Sequence, residues 1–264
     1  MRGIDSYAVG RKNEWRRQAW AEIARRAANP SACNVLYMPS DEDLDRRQAV
    51  MRGFNPNRMI GVELDSDRYA ALKSRGVPVI CADAYHVLRA WPSGCDPFDV
   101  VFLDTTNCFS ARLTRLLRAV LFGGSVRMGA TIVINIQCGR ESGKLAVAVK
   151  EYEKSYGPKF HRGLMVAQCI VNAVSVFGKC DHEAAAGFVS DNFSMALLAP
   201  YVAKTVRMDT VIFTLGMRTT GPTEWLCDNL KETRAISAVH RKCCAAAAVR
   251  TRRLNGDLVE APRR

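Results

Sequence analysis

The stretch YVAKTVRMDTVIFTLGMR (residues 201–218) contains two runs of strand-forming residues near the end of the chain. YVAKTVR (201–207) and TVIFTLGMR (210–218) are separated only by Met208 and Asp209. Two strands this close in sequence pair as an antiparallel hairpin. The sequence therefore predicts a hairpin whose turn is at Met208 and Asp209.

Upstream of the hairpin, short apolar runs rich in Val and Ile alternate with helical patterns. Continuous apolar runs are typical of strands with both sheet faces covered, as in a parallel sheet. The alternation predicts a doubly wound, Rossmann-like α/β sheet, mostly parallel with a terminal antiparallel hairpin strand. The strands are predicted at 33–38, 58–64, 77–82, 98–104 and 130–136, and the helices at 43–53, 66–76, 84–91, 110–124, 141–157 and 164–177.

Composition excludes several other classes of protein. The 264 residues are 48% hydrophobic and 24% charged, which suits one large globular domain or one domain with extensions. No apolar stretch reaches the roughly 18 to 20 residues of a membrane-spanning helix. The phosphate-binding pattern G-x-x-x-x-G-K-[ST] and the dinucleotide-binding pattern G-x-G-x-x-G are both absent, which argues against an NAD-dependent dehydrogenase.

The ten cysteines form no C-x-x-C pair, and most lie inside apolar runs. This usage indicates reduced core residues in a cytoplasmic protein, and it predicts no metal site.

Positive charge is concentrated at the two ends of the chain. The net charge is +12, and residues 1–29 contribute +4 of it while residues 240–264 contribute +5. Basic ends on a nearly neutral middle favour a polyanionic partner, most often nucleic acid. Solubilising or disordered tails are the alternative.

The basic amino-terminal segment 12–28 has a helical pattern. Trp15, Ala19, Ile23 and Ala27 form one apolar stripe, with four arginines largely off it, and Asn29-Pro30 ends the helix. We therefore expect a basic helix (1–29), a central domain (30–219) and a basic extension (220–264). The predicted nucleic-acid contacts are Arg16, Arg17, Arg25, Arg26, Arg241 and Lys242.

The order of these elements over residues 30–219, five β-α units and then a hairpin, resembles that of the class I S-adenosylmethionine-dependent methyltransferases. Acids at the predicted strand ends add to the resemblance, which implies S-adenosylmethionine as cofactor. It assigns Glu63 to the ribose hydroxyls and Asp83 to the adenine amino group. The residues that it implies for cofactor binding are Tyr37, Pro39, Ser40, Glu63, Leu64, Asp83, Ala84 and Asp104.

Two of the acids after strands have a purely structural alternative. Asp65 precedes the helical pattern 66–76, and Asp83 precedes 84–91. An Asp in such a position caps a helix by accepting backbone N–H groups. For Asp65 we expect only the cap, whereas for Asp83 both roles stay open.

The resemblance places the catalytic loop after the fourth strand, at Asp104, Thr105 and Asn107. Base-amino methyltransferases commonly have an acid or Asn followed by two prolines and an aromatic residue there. The sequence Asp104-Thr105-Thr106-Asn107 lacks the prolines. Cys108 is a poor match to the cysteine nucleophile of cytosine C5 methylation.

The loop PSDEDLD (39–45) departs from the family pattern, which is an acid followed by spaced glycines. It either binds the cofactor through side chains and a proline-shaped turn, or belongs to a site that has decayed. Asp41 or Asp43 is also a candidate cap for the next helix, where the N-terminal dipole favours negative charge.

These observations lead to a methyltransferase acting on RNA or DNA as the first hypothesis. An inactive methyltransferase-like scaffold that binds nucleic acid or a protein assembly through its basic ends is the second. A methyltransferase with a small-molecule or protein substrate is the third. The sequence makes no prediction of oligomeric state.

Overall fold

The computed structural model describes residues 6–108, 110–139, 141, 143–157, 160–179, 181–203 and 206–215. Seven strands form one sheet: β1 (Val35–Tyr37), β2 (Met59–Glu63), β3 (Val79–Cys81), β4 (Phe98–Cys108), β5 (Val126–Gln137), β6 (Ser194–Ala203) and β7 (Val206–Thr214). The helices are α1 (Ser6–Arg26), α2 (Leu44–Val50), α3 (Ser66–Ser74), α4 (Ala84–Arg89), α5 (Ala111–Phe122), α6 (Gly143–Tyr156), α7 (Gly163–Gly178) and α8 (His182–Asn192).

The strand order across the sheet is β3-β2-β1-β4-β5-β7-β6. The five strands β1 to β5 run parallel, while β7 is antiparallel to both β5 and β6. This arrangement confirms the predicted fold, a mostly parallel Rossmann-like sheet that ends in an antiparallel hairpin.

The predicted turn of the hairpin is wrong. β6 ends at Ala203 and β7 begins at Val206, so Met208 and Asp209 lie inside β7. Asp209 is fully buried and accepts hydrogen bonds from the Arg162 backbone N–H at 2.9 Å and from Arg207 Nε at 2.8 Å. These donors satisfy a carboxylate that the sequence pattern presented as a turn residue.

Two further elements differ from the prediction. β4 continues through Asp104 to Cys108, where a loop was expected, and Cys108 pairs with Gln137 after a register shift. The helix α8 and the first half of β6, residues 194–200, were not predicted.

The two faces of the sheet are covered by different helices. On β7, Thr210 accepts a hydrogen bond from Trp15 of α1, whereas the neighbouring Val211 lies beside Gly163 of α7. Because successive residues of a strand point to opposite faces, α1 and α7 lie on opposite sides of the sheet. α2 packs with α1, while α5 and α8 pack with α7.

The amino-terminal helix contributes a large part of the core on its face. Trp15, Ala19, Trp20 and Ile23 are all at most 2% exposed. The Trp20 ring stacks on Phe102 of β4 at 4.9 Å between centroids, and the Trp15 ring stacks on Tyr201 of β6 at 5.1 Å. α1 is therefore an integral layer of the fold.

Not all cysteines are core residues. Cys81 and Cys95 are exposed, while Cys33, Cys138 and Cys169 are partly buried. The expectation of a buried role is wrong for the first two. Across the described ranges, no helix has both the length and the apolar character needed to cross a membrane.

Candidate functional site

The strand register brings the predicted acids to one edge of the sheet. Tyr37, near the end of β1, pairs with Gly61 of β2 on one side and with Phe102 of β4 on the other. Glu63 and Asp104 are each two residues further along their strands. They therefore stand at the same level of the carboxyl edge and on the same face as Tyr37, the face that α1 covers.

Glu63 is held by two neighbours at the start of α3. Its Oε1 accepts the Asp65 backbone N–H at 2.9 Å, and its Oε2 pairs with Arg68 Nη1 at 3.2 Å. The side chain is 11% exposed. The next residue, Leu64, is 57% exposed, so an apolar side chain stands in solvent beside this acid.

Asp65 and Asp83 both cap helices. Asp65 Oδ1 accepts the backbone N–H groups of Asp67 and Arg68, which confirms its predicted role. Asp83 Oδ1 accepts the Tyr85 N–H at 2.9 Å, while its Oδ2 pairs with Arg112 of α5. Asp83 Oδ1 therefore caps α4, and Asp83 Oδ2 forms an ion pair with Arg112. The side chain of Asp83 is 25% exposed.

Asp104 joins a polar network that includes residues of four strands and reaches α1. Its Oδ1 accepts from Asn135 Nδ2 at 2.7 Å, and its Oδ2 pairs with Lys12 Nζ at 2.9 Å. Asn135 Nδ2 also donates to Tyr201 Oη at 2.7 Å. Thr210 Oγ1 donates to Asn135 Oδ1 and accepts from the Trp15 indole, both at 2.8 Å. The network therefore fixes the Asp104 carboxylate and anchors α1.

Thr105 and Asn107 are the other predicted catalytic residues. Thr105 is buried, and its hydroxyl donates to the Asn135 carbonyl oxygen at 2.8 Å. The side chain of Asn107 lies outside the described part of the structure. Burial, together with the nearby Asp104, raises the pKa of Tyr201, so its hydroxyl stays protonated at neutral pH.

The glycine-free loop after β1 is an ordered turn. Asp43 is the N-cap residue of α2, one of the two predicted candidates, but its side chain accepts no capping hydrogen bond; Ser40 Oγ accepts the Leu44 N–H at 3.0 Å instead. Asp43 has a φ of 52°, the left-handed conformation that glycine adopts readily. The Tyr37 hydroxyl donates to Asp43 Oδ1 at 2.8 Å. Side-chain contacts thus hold a backbone conformation that usually calls for glycine.

Pro39 completes this turn by packing on β2. Its ring is so close to Gly61 that a Cβ at Gly61 would lie 3.2 Å from Pro39 Cγ. The last acid of the loop, Asp45, is fully buried, with Arg16 Nε at 3.1 Å and the Trp20 indole nitrogen at 3.4 Å. α1 and the loop are therefore joined by a buried ion pair.

The four arginines of α1 that were predicted to contact nucleic acid fall into two groups. Arg16 is buried against Asp45, and the Arg26 side chain is only 8% exposed, with a bond to Thr214 at 2.9 Å. The side chains of Arg17 and Arg25 are 59% and 69% exposed and pair with glutamates of the same helix. Of these four, Arg17 and Arg25 are accessible to a large partner. Arg241 and Lys242 lie outside the described residues.

Several site residues were missed by the sequence analysis. Lys12, Arg68 and Arg112 are the cationic partners of the three acids, and Asn135 and Tyr201 complete the network. Asn135 carried a signal, because it is a polar residue inside the apolar run ATIVINI. No sequence pattern indicated Lys12, Arg68 or Arg112, since the acids that they contact lie on other elements of the fold.

Comparison with known proteins finds matches among solved structures and not among family models or curated proteins. No protein-family model matches the chain, and no curated protein matches it. An O-methyltransferase from Bacillus cereus in complex with SAH is 12% identical, with 76% of this chain and 80% of that chain covered and a TM-score of 0.43.

Two other solved structures have similar values. The O-methyltransferase TomG from Streptomyces achromogenes in complex with SAM is 17% identical, with coverage of 77% and 80% and a TM-score of 0.42. An rRNA methylase from Streptococcus thermophilus is 10% identical, with coverage of 76% and 95% and a TM-score of 0.42. Because these scores are below 0.5, the fold assignment rests on the strand order and register. On that basis the chain has the fold of the class I S-adenosylmethionine-dependent methyltransferases.

Proposed function

We propose that this protein is an S-adenosylmethionine-dependent methyltransferase that acts on nucleic acid. One observation carries the proposal. Glu63 and Asp104 stand at the same level of the carboxyl edge, on one face of a sheet with the order β3-β2-β1-β4-β5-β7-β6. In open α/β sheets, ligands bind in the crevice outside the carboxyl ends of the strands.

The residues at this edge fit the adenosine half of the cofactor. Glu63 offers a carboxylate to the two ribose hydroxyls, and the exposed Leu64 offers an apolar surface to the adenine ring. Asp83 and Ala84 follow the neighbouring strand β3, where Asp83 can accept from the adenine amino group. In the turn after β1, Tyr37, Pro39 and Ser40 would lie beside the methionine half.

The acceptor side of the site would be formed by Asp104. When bound, the cofactor supplies an electrophilic methyl group on its sulfonium. The Asp104 carboxylate, oriented by Asn135, can accept a hydrogen bond from an acceptor amine or hydroxyl and so orient its lone pair. Thr105, through its bond to the Asn135 carbonyl, would support the same end of β4, and Asn107 follows it in the chain.

Charge favours a nucleic-acid acceptor. The chain carries a net charge of +12, and Arg17 and Arg25 are exposed on α1, the helix that also brings Lys12 to Asp104. Phosphate contacts by such residues give affinity that does not depend on sequence. Arg241 and Lys242 of the basic extension are proposed as further phosphate contacts.

Calorimetric titration with S-adenosylmethionine and S-adenosylhomocysteine tests the proposal. We expect micromolar binding by the wild type, about 8 kcal/mol, and its loss in Glu63→Ala. Asp67→Ala is the matched control, because it removes an exposed acid from the first turn of the same helix. If the folded wild type binds neither compound, the methyltransferase proposal is wrong.

A second candidate is a non-catalytic scaffold that binds nucleic acid or a protein assembly. It is favoured by a specific observation: each of the three strand-end acids has a cationic partner, Arg68, Arg112 or Lys12. Ion pairs of this kind would serve a fold that no longer binds a ligand. Absence of cofactor binding, together with retained binding of single-stranded RNA, would favour the scaffold.

A further inference from the structure

Arg68 connects the loop after β1 to the acid that ends β2. Its Nε lies 2.7 Å from Asp41 Oδ1, and its Nη1 lies 3.2 Å from Glu63 Oε2. Its Nη2 is 3.5 Å from the Pro39 carbonyl oxygen. A single guanidinium therefore spans both sides of the candidate crevice.

The two acids that Arg68 joins differ in their environment. The Glu63 side chain is 11% exposed, whereas the Asp41 side chain is 81% exposed. Loss of Arg68 would cost Glu63 more than Asp41, because a carboxylate shielded from water needs another donor. Glu63 Oε1 already accepts the Asp65 N–H. A ligand whose hydroxyls donate to Glu63 at Oε2 therefore competes with the arginine there.

A hydroxyl group is a weaker replacement than a guanidinium. Both groups would donate to a carboxylate, but the guanidinium also carries a positive charge that attracts it, whereas a hydroxyl is neutral. One hydroxyl that donates to Glu63 stabilises the carboxylate less than the arginine does. Two adjacent hydroxyls, which can donate to the same carboxylate, recover more of the loss.

We infer that Arg68 determines the specificity of this site. The arginine holds the loop after β1 against Glu63, and only a ligand with two vicinal hydroxyls displaces it from Glu63. This inference rests on the proposed function and adds to it the residue that would enforce ribose over deoxyribose at Glu63. A 2′-deoxyribonucleoside has one donor fewer and does not displace the arginine. Once released from Glu63, Arg68 remains near Asp41, so the charge on the loop stays compensated.

The test compares wild type, Arg68→Gln and Arg75→Gln. Arg75 is the matched control, because it carries the same charge at the other end of α3 and its Nε bonds to the Ala71 carbonyl oxygen. Binding of S-adenosylhomocysteine is measured by calorimetry, and binding of adenosine and 2′-deoxyadenosine by ligand-observed NMR. Arg68→Gln is expected to bind S-adenosylhomocysteine about three- to fivefold more tightly, since the ion pair between Arg68 and Glu63 no longer competes with the ligand.

The preference for adenosine over 2′-deoxyadenosine is expected to fall in Arg68→Gln and to stay at the wild-type value in Arg75→Gln. An unchanged preference together with unchanged S-adenosylhomocysteine affinity in Arg68→Gln would overturn the inference while leaving the methyltransferase proposal intact. Adenosine binding with the expected loss of preference, but no binding of S-adenosylhomocysteine or S-adenosylmethionine, would support the inference and refute the methyltransferase. Absence of binding by every compound refutes both.

Amide hydrogen exchange gives a readout that needs no ligand. The Asp43 N–H bonds to the Ser40 carbonyl oxygen at 2.9 Å, and the Leu44 N–H bonds to Ser40 Oγ. Both amides should exchange faster in Arg68→Gln than in wild type or Arg75→Gln, because the loop has lost its connection to β2. Equal exchange in all three proteins would contradict the closing role of Arg68.

Discussion

Asp45 shows how a single side chain can couple the fold to pH. It is fully buried between α1 and α2, with the Arg16 guanidinium as its charged partner. Burial, helped by the nearby Asp104, raises the pKa of Asp45 to about 6, while Arg16 opposes this rise. The folded state therefore holds a proton on Asp45 up to a higher pH than the unfolded chain does.

This shift predicts a loss of stability between about pH 4 and pH 6. The pKa of Asp45 rises from 3.8 to about 6 on folding, so its contribution is present in full below about pH 4 and decreases as the pH passes through 6. Two pKa units correspond to about 3 kcal/mol. Urea unfolding from pH 4 to pH 7 should show this decrease in wild type relative to Asp45→Asn, which cannot titrate there. Parallel pH profiles for the two proteins would contradict it.

At the scale of elements, the hydrogen bonds from Trp15 to Thr210 and from Thr210 to Asn135 help to hold α1 on the sheet. Thr210→Val keeps the shape of the side chain but leaves the Trp15 indole N–H and Asn135 Oδ1 without their partner. Each buried group left in this way costs about 1 to 3 kcal/mol, so we expect a loss of about 2 to 4 kcal/mol in the free energy of unfolding.

A double-mutant cycle with Trp15→Phe separates this bond from general packing. The Trp15–Thr210 pair should show a coupling energy of about 0.5 to 3 kcal/mol in urea unfolding experiments. Additive effects of the two substitutions would mean that the bond does not anchor α1.

The parallel part of the sheet could be predicted because its strands are buried on both faces and leave continuous apolar runs. The turn of the hairpin could not, since Asp209 resembles a turn residue until Arg162 and Arg207 are brought beside it by folding. Residues 194–200 of β6 were missed for a different reason: Pro200 argues against a strand, and the run SMALLA before it has no β-branched or aromatic residue.

For the site, the acids could be predicted and their partners could not. Glu63, Asp83 and Asp104 follow strands, and the position at a strand end is readable from sequence. Lys12 and Asp104 are far apart in the chain, and only the path of α1 across the sheet brings them to 2.9 Å. Contacts of this kind depend on tertiary packing, which local pattern does not specify.

At the scale of the whole molecule, the structure changes how the basic ends must be tested. α1 carries Trp15 and Trp20 in the core, so removing residues 1–29 would remove core as well as charge. Substitution of exposed cations is the cleaner experiment. Arg17→Gln with Arg25→Gln removes two exposed charges on α1, and Arg241→Gln with Lys242→Gln removes two in the extension.

The affinity for single-stranded RNA should fall in each double variant, and its dependence on salt should become shallower. Each lost phosphate contact reduces the slope of log affinity against log salt by about 0.7, so two contacts give about 1.4. Arg115→Gln with Arg118→Gln is the matched control, because these exposed arginines lie on α5, away from α1. A slope that changes equally in the control would point to net charge alone as the cause.

The bond between Trp15 and Thr210 also has a consequence for the order in which the protein is made. The two residues are separated by 195 positions, so this bond forms only after the last strand exists. On the ribosome, Trp20 can pack on Phe102 once β4 has been made, but Trp15 lacks Tyr201 and Thr210 until β6 and β7 have been made. Contacts between distant parts of a chain slow folding, because the intervening loop must be closed first. The Trp15 side of α1 is therefore incompletely covered until synthesis has passed β7. Chaperones that bind apolar segments can bind α1 during that interval.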